Sequence, residues 1–245
     1  MKFKQSIRLL SVILAADLFL LAFLIQIIFI PAPSAAVSAP EAPRTEKYVA
    51  LTFDDGPDPI HTPVLLDGLK ARGIPATFFL MGSSIPGNEA IVARMKAEGH
   101  LIGNHSYNHV PLTKAKTSAV CQALDRTSTL IQSITGSAPE YMRPPYGDWN
   151  EELECQAGMT TVLWSVDSLD WKLKDRERIV KRVLKDVEDG DIILMHDIFG
   201  TSVSAALELA DILQKEGYTF VTADISQKHS VKPRQHEKGI KNEPV

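Results

Sequence analysis

An alternation of short apolar runs with amphipathic stretches most constrains the fold of this chain. The pattern occupies residues 46–225 of the 245-residue sequence. Candidate strands lie at 48–53, 76–81, 100–104, 140–142, 160–166, 191–195 and 218–221. Candidate helices lie between them at 62–72, 87–98, 117–134, 149–157, 175–188 and 202–216. Because strands that alternate with helices indicate parallel βα units, we expect an α/β domain, a distorted (β/α) barrel of about seven parallel strands, with an open doubly wound sheet as the alternative.

Residues 1–30 predict a membrane helix before this domain. Residues 9–30 are almost entirely apolar and follow Lys2, Lys4 and Arg8. At 1.5 Å per residue they would extend about 33 Å, enough to cross a bilayer. Positive charge before the span predicts a cytoplasmic N-terminus and export of the remainder. A cleaved signal peptide is the alternative, and it would make the protein secreted.

Two further segments flank the domain. Residues 31–45 are rich in Pro and Ala and predict an extended linker, whereas residues 226–245 are polar and basic and predict a disordered tail. The formal net charge of -4 includes +2 from residues 1–30 and +3 from the tail, so residues 31–225 carry -9. An acidic domain of this kind argues against a nucleic-acid partner, which requires a basic face.

The two cysteines, Cys121 and Cys155, leave their pairing open. Both fall in predicted helices. An exported protein permits a disulfide, but no spacing rule brings the two thiols into contact, and two buried thiols are the alternative.

Polar side chains recur where the predicted strands end. They are Asp54, Asp55, His105, Arg143, Asp167 and His196. In a parallel βα array the carboxyl ends of the strands meet at one edge, where such folds build their sites. We therefore expect these residues to converge on one site, except that Asp167 is equally well explained as a turn cap.

A metal ion is the first chemistry that this set suggests. His105 and His109 are four residues apart, a spacing that puts two imidazoles on one face of a helix. The pair alone is a weak signal, because two independent loop histidines would look the same. With an Asp from another strand end, the set offers three protein ligands and an open position for water, as in catalytic zinc sites. Nitrogen and oxygen donors favour zinc and also admit cobalt, nickel or iron.

Five short strings, in this order and spacing, resemble the motifs of a known family. They are TFDDGP (52–57), HSYNH (105–109), RPPYG (143–147), DSLDW (167–171) and LMHD (194–197). They resemble the polysaccharide deacetylases, carbohydrate esterase family 4, also called the nodulation-type chitooligosaccharide deacetylase domain. The resemblance covers about residues 48–221. It implies a distorted barrel of seven or eight strands that removes N-acetyl, sometimes O-acetyl, groups from chitin, peptidoglycan, poly-N-acetylglucosamine or xylan.

The resemblance implies a metal centre and a base. Asp55, His105 and His109 would hold the metal, and Asp54 would be the general base with Arg143 paired to it. A divalent metal lowers the pKa of bound water to about 7 and polarises a carbonyl oxygen. A carboxylate that stays off the metal is suited to take the proton of that water.

The resemblance also implies an acid and substrate contacts. Asp170 would orient His196, the general acid, because a carboxylate stabilises imidazolium and the departing sugar amine needs a proton. The backbone N–H of Tyr146 would join the metal in binding the oxyanion, which makes Tyr146 both catalytic and substrate-binding. Trp171 and Leu194 would line the acetyl pocket.

Other functions compete with this interpretation. The main alternative is a non-catalytic glycan-binding domain of the same fold, which needs neither a base nor an acid. A glycosidase needs paired carboxylates but no His-His-Asp set, and a serine hydrolase needs a G-x-S-x-G turn. The sequence therefore predicts a metal-dependent polysaccharide N-deacetylase, anchored in the membrane and acting outside the cytoplasm. It leaves open the sugar (GlcNAc or MurNAc) and the resident metal.

Overall fold

The computed structural model of the protein describes residues 46–150 and 158–229. The predicted membrane helix, the predicted linker to residue 45, Cys155 and residues 230–245 lie outside the described residues. Within the two described ranges, every helix is too short or too polar to cross a membrane.

A parallel sheet of eight strands organises the described part of the chain. The strands are β1 (Lys47–Asp54), β2 (Thr77–Leu80), β3 (Leu101–Asn104), β4 (Tyr141–Met142), β5 (Thr160–Thr161), β6 (Val166–Asp167), β7 (Asp191–His196) and β8 (Tyr218–Phe220). They run in the order β5-β4-β3-β2-β1-β7-β6, and β8 pairs with the first residues of β1. The predicted parallel α/β architecture is confirmed, with eight strands rather than about seven.

Helices connect these strands and cover the sheet. They are α1 (His61–Arg72), α2 (Glu89–Ala97), α3 (Thr117–Thr135), α4 (Asp170–Leu173), α5 (Arg176–Asp186), α6 (Gly200–Lys215) and α7 (Ala223–His229). Five of them lie within a few residues of the predicted amphipathic stretches. The short α4 and the terminal α7 were not predicted, and residues 151–157 of the predicted helix 149–157 lie outside the described residues.

The alternation of side chains along β1 separates two apolar layers. Leu51 and Phe53 belong to the main core between the sheet and its helices, where Phe53 stacks on Phe78 with ring centroids 5.3 Å apart. Ala50 points the other way, into a smaller cluster inside the curled sheet. The interior cluster comprises Ala50, Phe79, Val162, Ile192 and Ala223. Asp54 lies on the same inner face of β1 as Ala50, so its carboxylate lies at the end of the strand beyond this apolar cluster.

The predicted strand 160–166 is wrong as a single strand. Its first residues form β5, which pairs with β4, and its last form β6, which pairs with β7 at the opposite edge of the sheet. The chain from Val162 to Ser165 therefore crosses between the two edges; the Val162 N–H still bonds to Met142 and the Ser165 N–H to Ile192. We call residues 162–165 the seam. At the seam the edge strands β5 and β6 do not pair with each other, and residues 162–165 alone connect the two edges of the sheet.

Arg143 provides hydrogen bonds at the seam. Its side chain is fully buried; Nε donates to the carbonyl of Val162 at 3.1 Å and Nη2 to that of Leu163 at 3.3 Å. Nη1 donates to Thr52 Oγ1 and to Asp54 Oδ1, both at 2.8 Å. Buried carbonyls without partners are costly, and the five donors of a guanidinium are enough to serve both sides of this gap.

The predicted tail begins later than residue 226. Helix α7 continues to residue 229, and buried Ser226 donates from Oγ to the carbonyl of Gly190 at 2.9 Å. The N–H of Ala223 donates to Thr77 Oγ1 at 2.9 Å, and Gln227 Nε2 donates to the Thr161 carbonyl at 3.3 Å. Residues 226–229 are therefore part of the domain, because α7 closes the amino-terminal end of the curled sheet.

Replacing Arg143 is expected to destabilise the domain, by an amount that depends on the substituted side chain. Arg143→Met leaves buried Asp54 and both seam carbonyls unpaired and should lower the free energy of unfolding by about 3–5 kcal/mol. Arg143→Lys keeps the charge beside Asp54 but loses the planar fork, so its loss should be smaller. Urea unfolding measures both, with Arg178→Met on the exposed side of α5 as the control. Equal stability of Arg143→Met and the wild type would contradict the seam interpretation.

Candidate metal centre and active site

Side chains from five strand ends meet at the carboxyl edge of the sheet, as the sequence predicts. Asp54 and His196 end β1 and β7 and are register partners in the parallel ladder. His105 follows β3, Arg143 follows β4, and Asp170 begins α4 after β6. Parallel pairing brings these separate segments together, because every carboxyl end lies on the same side.

Three side chains form a cluster suited to a metal ion. Asp55 Oδ1 lies 3.5 Å from His105 Nε2 and 3.5 Å from His109 Nε2, and the three ligand atoms lie within 4.8 Å of one another. Tetrahedral ligands placed about 2.1 Å from a zinc ion are about 3.4 Å apart. The spacing of these atoms therefore fits one divalent cation among them.

The polar atoms of this cluster are also oriented for a cation. Asp55 Oδ1 is buried and has no hydrogen-bond partner among the described residues. His105 Nδ1 lies 2.7 Å from the carbonyl of Arg143, so Nδ1 carries the proton and Nε2 presents its lone pair towards Asp55. Burial lowers the pKa of His105 to about 3, which keeps the ring neutral at pH 7. A neutral imidazole beside an unpartnered carboxylate oxygen is the donor set that zinc and related ions require.

The HSYNH segment is a loop, so the predicted helical spacing is not what brings its histidines together. Ser106 and His109 have positive φ angles of 62° and 52°, and Asp55 has one of 74°. The loop is held by the segment after β2, since the N–H groups of Gly82 and Ser83 donate to the carbonyls of residues 106 and 107. Non-glycine residues with positive φ are strained, and such residues cluster at functional sites. The imidazoles of His105 and His109 end with ring centroids 5.0 Å apart.

Asp54, the predicted base, lies beside the Asp55, His105 and His109 cluster. Its Oδ1 accepts from Arg143, and its Oδ2 lies 3.8 Å from His105 Nε2. Burial raises the pKa of Asp54, and the charges of Arg143, His196 and His109 oppose this without cancelling it. Arg143 therefore does not set the pKa of Asp54 alone, because both groups are withdrawn from water.

Asp170 and His196 form the predicted acid pair. Asp170 Oδ1 lies 2.8 Å from His196 Nδ1, and Oδ2 accepts the His196 backbone N–H at 2.7 Å. Burial opposes a charge on His196, but the hydrogen bond and charge of Asp170, together with Asp54 and Asp55, raise its pKa to about 9. His196 Nε2 lies 4.0 Å from Asp55 Oδ2, so its free nitrogen faces the metal cluster.

The remaining predicted residues border this centre. Tyr146 has a φ of 61°, is 49% exposed and sets its ring edge-on to His109 at 4.5 Å. Trp171 donates its backbone N–H to Asp170 at 2.9 Å, and Leu194 is buried on the same face of β7 as His196. Their contacts to an oxyanion or an acetyl group stay predictions. Asp167 accepts the N–H of Leu169 at 2.9 Å, which supports a turn cap.

Asp197 is a site residue to which the sequence interpretation assigned no role. It follows His196 within the LMHD string, is fully buried and accepts a hydrogen bond from Thr62 Oγ1. Burial raises its pKa to about 7. The sequence signal for Asp197 was its position directly after a histidine that ends a strand. An aspartate in an ordinary turn would stand at the same position, so the signal did not identify a site residue.

Known proteins are similar to this chain in sequence. The family described as "Polysaccharide deacetylase" matches residues 41–162. The peptidoglycan-N-acetylglucosamine deacetylase PgdA of Listeria monocytogenes is 42% identical over 191 residues, which are 77% of this chain and 41% of that protein. The chitooligosaccharide deacetylase of a Bradyrhizobium species is 40% identical over 155 residues, which are 62% of this chain and 71% of that protein.

A solved structure agrees with the fold. The peptidoglycan deacetylase PdaC from Bacillus subtilis superposes with a TM-score of 0.73 at 41% identity, covering 75% of this chain and 91% of that chain. The chain spans about two fifths of the length of the Listeria relative and more than two thirds of the Bradyrhizobium one. The family match covers the first three of the five motif strings, and the chain belongs to the polysaccharide deacetylase family, carbohydrate esterase family 4.

Proposed function

We propose that this chain is a metal-dependent N-deacetylase of an N-acetylated cell-envelope glycan, with peptidoglycan as the favoured substrate. The observation that carries the proposal is the Asp55, His105 and His109 cluster, which lies between the carboxylate of Asp54 and the imidazole of His196. Relatives named for peptidoglycan and for chitooligosaccharide support an N-acetylated glycan as the substrate class. Zinc is the favoured metal, with cobalt, nickel or iron as alternatives.

The chain's own residues divide the work of amide hydrolysis. Asp55, His105 and His109 would hold the ion. Once bound, the ion would polarise the acetyl carbonyl and lower the pKa of water to about 7. Asp54, held by Arg143 at 2.8 Å, takes the proton of the attacking water at its free Oδ2. The backbone N–H of Tyr146 donates to the developing oxyanion, a contact typically worth about 2.7–4 kcal/mol.

His196 completes the reaction by protonating the leaving group. An amide anion is too basic to depart, so the sugar nitrogen must gain a proton as the C–N bond breaks. Asp170 supports the protonated ring through Nδ1, which leaves Nε2 free to give its proton. In this proposal Trp171 and Leu194 line the pocket for the acetyl methyl group.

A glycan-binding domain without turnover is the competing function. Binding a sugar polymer needs a groove and exposed aromatic faces, such as the half-exposed ring of Tyr146. It does not need a buried base paired to an arginine or a histidine held by a carboxylate. The presence of both catalytic pairs favours hydrolysis.

Acetate release tests the proposed function. The purified chain should release acetate from peptidoglycan or N-acetylglucosamine oligomers, lose that activity in chelator and regain it when zinc or cobalt is added back. Acetylated xylan tests the O-acetyl alternative in parallel. Binding of these glycans without acetate release at any metal concentration would favour the non-catalytic function.

Two substitutions should separate proton transfer from metal binding. Asp54→Asn should lower kcat by at least about 10²-fold while the apo-protein still binds Co²⁺, because Asp54 stays off the metal. His109→Ala should weaken Co²⁺ binding directly, because it removes a ligand. Asp186→Asn, at the exposed carboxyl end of α5, is the matched control. Loss of Co²⁺ binding in Asp54→Asn would place Asp54 among the ligands instead.

We also propose that residues 9–30 anchor the chain, with the domain outside the cytoplasm. The support is the length and apolar character of this stretch and the basic residues before it. Fractionation of cells that produce the full chain should recover it at full mass in the membrane, with the domain open to external protease. A shorter form in the medium would indicate a cleaved signal peptide.

A further inference from the structure

Asp197 lies behind the loop that carries the metal ligand Asp55, and the proposed mechanism does not use it. Its side chain is fully buried. Oδ2 accepts a hydrogen bond from Thr62 Oγ1, and Oδ1 has no hydrogen-bond partner among residues 46–150 and 158–229. A buried carboxylate with one free oxygen is destabilising in itself, so its presence calls for a compensating role.

The Asp197 carboxylate occupies the space where a side chain at residue 56 would begin. A Cβ built on Gly56 would lie 2.4 Å from Asp197 Oδ1 and 2.5 Å from Oδ2, well inside van der Waals contact. Gly56 is not among the glycines with positive φ, so its backbone conformation is open to other residues. The glycine is therefore required here for close approach and not for a left-handed conformation.

Thr62 ties the same carboxylate to the far end of the loop. Its Oγ1 accepts the N–H of Asp58 at 2.8 Å while it donates to Asp197. From the other side, the N–H of Met81 donates to the Gly56 carbonyl at 3.0 Å. The loop from residue 55 to 58 is thus held on one side by Met81, directly after β2, and on the other by Asp197, directly after β7.

The conformation of Asp55 needs this support. Its φ of 74° is a strained value for a residue with a Cβ, of a kind that persists only where the surroundings over-determine it. We propose that Asp197 is a positioning residue that, through its contact with Gly56 and its bond to Thr62, holds Asp55 where Oδ1 meets the two imidazoles. The inference rests on the proposed metal site and adds a buried carboxylate behind it.

Metal affinity of the apo-protein tests this role without requiring turnover. Asp197→Ala in the full chain should bind Co²⁺ about 10–100-fold more weakly by calorimetry, the usual range when a residue that supports a ligand is lost. The visible spectrum of the bound Co²⁺ should change as the Asp55 ligand shifts. Asp197→Asn keeps an oxygen for Thr62 and should recover part of the affinity. Asp211→Asn, which breaks an exposed ion pair with Arg72, should leave affinity and spectrum unchanged.

The contact with Gly56 makes a sharper prediction. Gly56→Ala alone should weaken Co²⁺ binding at least about 10-fold, because its Cβ displaces the carboxylate or the loop. In Gly56→Ala/Asp197→Ala the obstructing carboxylate is gone, so the double variant should bind no more weakly than the weaker-binding of the two single variants. Residues that act through one contact are non-additive, whereas independent effects would multiply.

Each outcome supports or overturns the inference. It is overturned if folded Asp197→Ala binds Co²⁺ within twofold of the wild type with an unchanged spectrum, or if the losses of the two single variants multiply in the double one. If Asp197→Ala does not fold, Thr62→Val removes the hydrogen bond and must weaken Co²⁺ binding for the inference to stand. A wild type that binds no Co²⁺ overturns the metal site and this inference together. A wild type that binds Co²⁺ but releases no acetate overturns only the proposed deacetylation.

Discussion

The hydrogen bonds of Arg143 are the interaction on which the site depends, because the seam of the barrel and the carboxylate of Asp54 share one guanidinium. Two of its nitrogens serve the carbonyls of Val162 and Leu163, and the third serves Thr52 and Asp54. Its planar group also lies 4.3 Å from the ring centroid of Phe79, within cation–π range. A buried ion pair is favourable only when its geometry is excellent and its other donors are satisfied. In this domain the seam supplies those acceptors, so closing the barrel and placing Asp54 are one structural event.

Backbone strain is the second feature that the site needs. Six non-glycine residues of the described ranges have positive φ, and five of them fall inside four of the five motif strings: Asp55, Ser106, His109, Tyr146 and Leu169. Such conformations cost about 1–3 kcal/mol each and survive only when neighbouring contacts impose them. Backbone bonds from the segment after β2 hold the histidine loop, and the Asp197 and Thr62 contacts lie behind the aspartate loop. Asp55, His105 and His109 are thus held by contacts with segments that lie next to the sheet.

Much of the fold could be predicted from the sequence, because strands buried in a parallel sheet are apolar on both faces. The runs at 48–53 and 191–195 are apolar on both faces, as strands buried in a parallel sheet must be, and they became β1 and β7. The run 160–166 has the same character but divides into β5 and β6. The apolar residues of this run indicate that it is buried. They do not indicate which strand each residue pairs with, and that depends on where β4 and β7 lie. Helix α7 was missed because its sequence is polar; its buried Ser226 is explained by a carbonyl on another segment.

By itself, the sequence determined the chemistry of the site. The order of carboxylate, imidazole and guanidinium groups at successive strand ends was readable because parallel pairing sends every strand end to one edge. Only the tertiary structure decided how these groups meet. His105 and His109 converge through a strained loop instead of a helix, Asp54 keeps one oxygen on Arg143 and one towards His105, and Asp197 fills the space that Gly56 leaves. The reason is physical: residue type sets what an atom can donate or accept, whereas distances of 2.8 to 4.0 Å between segments up to 142 residues apart depend on the packing of the whole sheet.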